Sequence, residues 1–171
     1  MKNSTNELLV ISKSKELCDV VFEITSRSPK QYRASIVSRM QNISLDVISK
    51  INQANDMKID LQYTMDLNAR LELLKKQEKD CKDDVSLLIL NQKLMILGLE
   101  RTRTRRRRIE KRMDLSYSAL TSLRELDYLI VLAEKRQCIT NKQRNRLAAL
   151  LFEVRRLLVG YIRADKERYK Y

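Results

Sequence analysis

The groups best able to bind something are concentrated in Arg101-Thr102-Arg103-Thr104-Arg105-Arg106-Arg107-Arg108-Ile109-Glu110-Lys111-Arg112. Eight basic residues stand here against one acid, a net +7 within a chain whose total is +13. The rest is weakly charged by comparison: residues 1–60 carry +2, 61–100 carry −1 and 113–171 carry +5. Charge spread evenly favours solubility, whereas charge concentrated in this way makes a candidate anion-binding surface. Guanidinium stays protonated at any cellular pH and its planar fork can hold two phosphate oxygens at once. On a helix, Arg101, Arg105, Arg108 and Arg112 fall at i, i+4, i+7 and i+11 and share a face. That stripe would be ~16 Å long, enough to span several phosphates of a strand. The candidate contacts are therefore Arg101, Arg103, Arg105, Arg106, Arg107, Arg108, Lys111 and Arg112, with Arg144, Arg155, Arg156 and Arg163 of the last helical segment assisting. An acidic protein partner, an acidic lipid surface and a plain solvated face remain open readings of the same residues.

Other chemistries find little support. There is no histidine, which removes the commonest general base, the Cys–His pair and most transition-metal sites. With glycine only at 98 and 160, neither a P-loop nor a dinucleotide fingerprint is present. Asp80, Asp83 and Asp84 form an acidic cluster without a partner motif for a cation, and read as a solvated face. No catalytic residue, metal site or cofactor is expected. Cys18, Cys81 and Cys138 are odd in number and widely spaced, so they read as buried free thiols of a cytoplasmic protein. Uninterrupted apolar runs such as Leu129 to Ala133 are far too short to span a membrane. With no tryptophan and 5% aromatic residues, base stacking is a minor prospect, so any nucleic-acid contact should be mainly electrostatic.

The elements that must carry these groups are helical. Hydrophobic residues make up 43% of 171 residues, and two glycines and one proline leave scant turn chemistry. A single all-α domain over 1–171 is expected. The periodicity predicts a first helix over 6–27, with Val10, Leu17, Val21 and Ile24 inward. Ser28-Pro29-Lys30-Gln31 reads as a capping box opening a second helix to about 54, whose stripe is Ile36, Met40, Ile43, Val47, Ile51 and Ala54. From about 60 a near-heptad stripe runs through Leu67, Leu71, Leu74, Glu78, Cys81, Val85, Leu88, Gln92, Met95 and Leu99. Leu87, Leu90, Leu94 and Leu97 add a second apolar flank, and a helix apolar on two flanks usually meets more than one neighbour. Because arginines oppose the dipole at a helix start and suit a helix end, the dipole argument favours a third helix that stops near 108–112 over a new helix starting at Thr102 or Thr104, and a continuous helix over 60–137 is the further alternative. A further helix then covers 113–137, and Thr140 to Gln143 forms a second capping box before a last helix from 141 to about 168. Gly160 falls inside that last helix, which suggests close approach of a neighbour.

The segments also resemble a known family. Ser28-Pro29-Lys30-Gln31-Tyr32-Arg33, then Arg39-Met40-Gln41-Asn42 and Ala54-Asn55, are similar to the second helix of a bacterial four-helix-bundle family. That family includes the accessory variability determinant of diversity-generating retroelements and the proteins encoded in ribosomal-RNA intervening sequences. Arg112-Met113-Asp114-Leu115, Ala119-Leu120-Thr121-Ser122-Leu123 and Leu126-Asp127-Tyr128 resemble its third helix, and Cys138-Ile139-Thr140 the turn that follows. Leu157-Leu158-Val159-Gly160-Tyr161-Ile162-Arg163-Ala164-Asp165-Lys166 resembles the end of its fourth. The resemblance implies an antiparallel four-helix bundle that assembles as a basic homopentamer. In the retroelement branch it implies binding to a reverse transcriptase and to RNA or DNA. Residues 61–111 depart from the pattern: family members have a short linker there, so the arginine stretch ends an extra or elongated helical segment. The expectation is a non-enzymatic, oligomeric basic scaffold for RNA or cDNA beside a reverse transcriptase. The alternative is an adaptor or structural assembly protein whose arginines dock an acidic protein.

Overall fold

A computed structural model of the chain describes residues 3–57, 63–80 and 84–170, and the side chains of 9–57, 68–79 and 85–170. The described residues are all-helical, without a strand. The elements are α1 (Asn3–Thr25), the short α2 (Lys30–Tyr32), a π-helical turn (Arg33–Val37), α3 (Ser38–Asp56), α4 (Tyr63–Asp80), α5 (Asp84–Lys135) and α6 (Asn141–Tyr169). No described helix is long and apolar enough to cross a membrane. The chain divides into two compact units: Met1–Asp56 with Arg112–Tyr171, and Met57–Lys111. The second nearly coincides with the segment read from the sequence as an addition.

In the first unit the apolar stripes do what their spacing predicts. Leu17 and Val21 of α1, Met40 and Val47 of α3, Leu123, Leu126 and Ile130 of α5, and Leu147 and Leu158 of α6 are almost completely buried. Polar pairs give the direction of each helix against its neighbour. Lys13 reaches Glu153 at 3.5 Å and Arg146 reaches Glu23 at 3.1 Å, so α1 and α6 run in opposite directions. Gln41 meets Thr25 and Ser44 meets Cys18, which sets α3 against α1 in the same way. Arg39 holds Glu125 at 2.6 Å, while Arg112 reaches the carbonyl of Ala54, reversing α5 against α3. Arg144 with Glu134 and Arg112 with Asp165 reverse α6 against α5.

The described turns are built by side-chain caps and backbone bonds without glycine. Thr140 caps α6: its Oγ1 accepts from Gln143 N–H, and the Gln143 side chain accepts from Thr140 N–H, the predicted reciprocal box. α5 ends in a Schellman arrangement. Cys138 N–H donates to Ala133 O at 2.8 Å and Gln137 N–H to Glu134 O at 2.9 Å, with Gln137 left-handed at φ 57°. The Ser28 box is not formed. Pro29 takes the N-cap position without a side-chain cap bond, and Ser28 Oγ instead donates to Cys138 O, 110 residues away, at 2.9 Å. A buried carbonyl at the end of α5 is a stronger demand than a solvent-facing N–H.

Three further expectations are corrected. The π-helical turn takes Ile36 off the core stripe, so Val37 is buried and Ile36 is only half-buried. A wider turn places one extra residue per revolution and rotates the apolar phase. Gly160 is exposed, and a Cβ added there would meet nothing within 4 Å, so no neighbour requires it. The predicted helix end at 108–112 is absent, and α5 runs unbroken through 52 residues. The arginines lie mid-helix, where the terminal dipole charges have little reach.

The second unit has a thin core. Among its described side chains only Ile109 is buried. Leu71 and Leu74 of α4 and Leu87, Leu90, Leu94 and Leu97 of α5 are half-buried. The predicted stripe changes role along its length: Val85, Leu88, Met95 and Leu99 are 61–68% exposed, and the flank is the better covered side. Cys81 and the side chains of Asp80, Asp83 and Asp84 lie outside the described residues.

Candidate nucleic-acid interface

Helical rise and twist decide which of the predicted contacts face water. Arg103, Arg107 and Lys111 recur at i, i+4 and i+8 and are all exposed. This stripe is ~12 Å long and stands on the opposite side of the helix from the 101/105/108/112 row read from the sequence. Arg101, Arg105 and Arg106 are exposed on either side of it. Arg106 keeps 79% exposure while its Nε donates to Glu110 Oε1 at 3.0 Å, an i, i+4 pair that orders the side chain without removing it from solvent. Thr102 Oγ1 bonds back to Gly98 O at 3.0 Å, satisfying its hydroxyl within the helix. Gly98 lies within the helix. Six exposed cations on about three turns make a surface able to meet successive phosphates without reading sequence.

Arg108 is half-buried. Arg112, the last member of the predicted row, is corrected outright: it is 4% exposed and belongs to the core of the first unit. Its Nε donates to Asp165 Oδ2 at 2.6 Å and its Nη2 to Oδ1 at 3.2 Å, a bidentate pair with a carboxylate that is itself 1% exposed. Nη1 donates to Ala54 O at 2.9 Å and so satisfies a carbonyl in the last turn of α3. The guanidinium carbon sits 5.0 Å from the Tyr161 ring centre. Burial works against the charged form, yet the hydrogen bond to Asp165 and the surrounding negative potential outweigh it, so Arg112 holds its proton more firmly than an ordinary arginine. Arg112 is a structural cation, unavailable to a ligand. The missed partner, Asp165, lies 53 residues away and carries no local signal of its role.

The α6 residues divide similarly. Arg156 and Arg163 are exposed. Arg144 is tied to Glu134 at 3.2 Å. Arg155 is half-buried with Nη2 3.8 Å from Asp127, and its buried Nε has no hydrogen-bond partner among the described residues. The exposed cations 101–111 belong to the second unit, whereas Arg112, Arg144, Arg155, Arg156 and Arg163 belong to the first. The patch read as one set in the sequence is thus two sets with different environments.

Cys18 and Cys138 are buried free thiols, as their spacing predicts. Burial pushes the Cys138 thiol up from its ordinary value, the opposite of what a reactive cysteine needs. In comparisons with known proteins, no family model, no curated protein and no solved structure matches the chain.

Proposed function

We propose that the chain is a non-enzymatic nucleic-acid-binding accessory protein, in which an antiparallel four-helix bundle carries an added helical unit with a phosphate-binding face. The observation that supports this most is the exposed stripe Arg103, Arg107 and Lys111, flanked by Arg101, Arg105 and Arg106, on a regular helix. A helix fixes the spacing of the cations, and regular spacing suits the repeating phosphates of RNA or DNA better than a single acidic side chain. Binding would be electrostatic and independent of base sequence, with Arg156 and Arg163 as secondary contacts. Arg112 is no longer among the contacts.

The reversed order of polar pairs along α1, α3, α5 and α6 supports the bundle. The sequence resemblance supports the rest of the reading: a cytoplasmic homo-oligomer, pentameric by that resemblance, acting with a reverse transcriptase on RNA or cDNA. The test is binding of nuclease-treated protein to a labelled single-stranded RNA, compared with a variant carrying Ala at 103, 105, 106 and 107. The expected result is a large loss of affinity on several unrelated RNA sequences, with an unchanged melting temperature. Unchanged affinity would overturn the assignment. Loss confined to one RNA sequence would replace phosphate contact by base readout.

A further inference from the structure

The second unit leaves one apolar face without cover. On α5, Val85, Leu88, Gln92, Met95 and Leu99 repeat with 3-4-3-4 spacing, the seam of a left-handed coiled coil. Val85 is 65% exposed, Leu88 62%, Met95 68% and Leu99 61%, and Ile89 and Ile96 widen the seam at 47% and 56%. The opposite flank of the same helix is the half-buried one. A large apolar stripe facing water on a unit with a single buried described side chain is a surface built to meet another helix.

We infer that this face pairs with the same face of a second copy, antiparallel. The charge pattern selects both the occupant and the direction. Just before the seam, residues 79–84 carry Asp80, Asp83 and Asp84 against Lys79 and Lys82, a net −1, and Arg101, Arg103 and Arg105 stand just after it. Antiparallel pairing sets this weakly negative end of one copy beside the basic end of the other, twice over, and keeps the two arginine stretches apart. Parallel pairing would align two arginine stretches, each +7 over residues 101–112. Gln92, exposed at the middle of the seam, lies near the two-fold axis, where two amides can bond each other and penalise slipped registers. The six apolar side chains present roughly 600 Å² per copy, so a pair covers about 1,200 Å², the lower bound of stable specific interfaces. The contact is two-fold and independent of nucleic acid, and adds to any assembly the first unit makes.

The test uses the full chain after nuclease treatment, with mass measured by light scattering over a range of concentrations. Leu88→Glu with Met95→Glu should halve the mass of the assembly that this contact builds while keeping the far-ultraviolet dichroism of the parent. A mass unchanged by the substitutions, or a parent that is monomeric throughout, would overturn the inference. A second arm does not depend on destabilising the face. In a Cys81→Ser background, a short bismaleimide should join Val85→Cys chains to Leu99→Cys chains in a mixture, and neither to itself. Antiparallel copies hold the two Val85 positions ~20 Å apart. Self-linking of Val85→Cys would show a parallel pair and refute the charge argument. Failure of RNA binding in the arginine variant would leave both arms unaffected, so the two readings fail separately.

Discussion

Arg112 sits inside the stretch that looks most like a binding site, yet the structure uses it as a core ion pair, and the two roles separate cleanly in a mutant series. Asp165→Ala leaves a guanidinium at 4% exposure without its paired carboxylate, beside the Ala54 and Asn55 carbonyls and the Tyr161 ring. Stranding one member of a buried pair costs about 3–5 kcal/mol, because the remaining charge keeps its desolvation penalty and loses its partner. For a chain of this length each kcal/mol moves the melting temperature by about 3 °C, so a fall of about 10–15 °C is expected. Arg112→Met leaves the Asp165 carboxylate with Arg168 at 3.8 Å in place of the bidentate pair, and should cost less than Asp165→Ala. Replacing both, Arg112→Met with Asp165→Leu, removes both charges and should restore most of the loss. The assay is thermal and urea unfolding followed by circular dichroism, with RNA affinity measured on the same samples below their transitions. A shift under about 3 °C for Asp165→Ala, or an Arg112→Met protein of parental stability that loses as much RNA affinity as Arg107→Ala, would refute the assignment.

Other substitutions test the local arguments. Gly160→Ala should stabilise by about 1 kcal/mol, since the site is helical and open, and Gln137→Gly should stabilise by a similar amount by relieving the left-handed backbone at φ 57°; thermal melts that fall in both variants would contradict this. Ser28→Ala should cost about 1–2 kcal/mol by orphaning the Cys138 carbonyl, read as a lower urea midpoint at constant slope. Because burial raises the Cys138 thiol above its ordinary value of 9.0, the folded state holds that proton more firmly than the unfolded chain. Stability should therefore fall as pH rises beyond 9.0 and fall less in Cys138→Ala, measured by urea unfolding at stepped pH.

The core of the first unit was legible because it rests on local periodicity. Val10, Leu17, Val21 and Ile24, and the run from Met40 to Ala54, face inward as their spacing requires. The Thr140 box was legible for the same reason: donor and acceptor are three residues apart. What local pattern could not supply was long-range choice. Ser28 satisfies Cys138 and Arg112 satisfies Asp165, and nothing within a turn of either residue announces the partner. The helix end expected at 108–112 is absent because the dipole argument applies only where a helix terminates, and the leucine-rich pattern continues on both sides of the arginines. The π-helical turn moved Val37 into the core in place of Ile36, a shift of phase that composition does not encode.

In the candidate site the sequence located the charge and the structure sorted it. A row defined by i, i+4, i+7 and i+11 spacing led from solvent at Arg101 into the core at Arg112. The row that stays in water is Arg103, Arg107 and Lys111. Sequence counts cations, but only the position of the buried side of α5 decides which of them can meet a ligand.

The most direct measurement of the central claim is the salt dependence of RNA affinity for the parent and for the variant with Ala at 103, 105, 106 and 107. Each phosphate contact to a single strand contributes about −0.7 to the slope of log affinity against log salt. Four lost contacts should make the slope shallower by about 3, with affinity falling on every RNA tested at low salt. Parallel lines of equal slope for parent and variant would contradict the account.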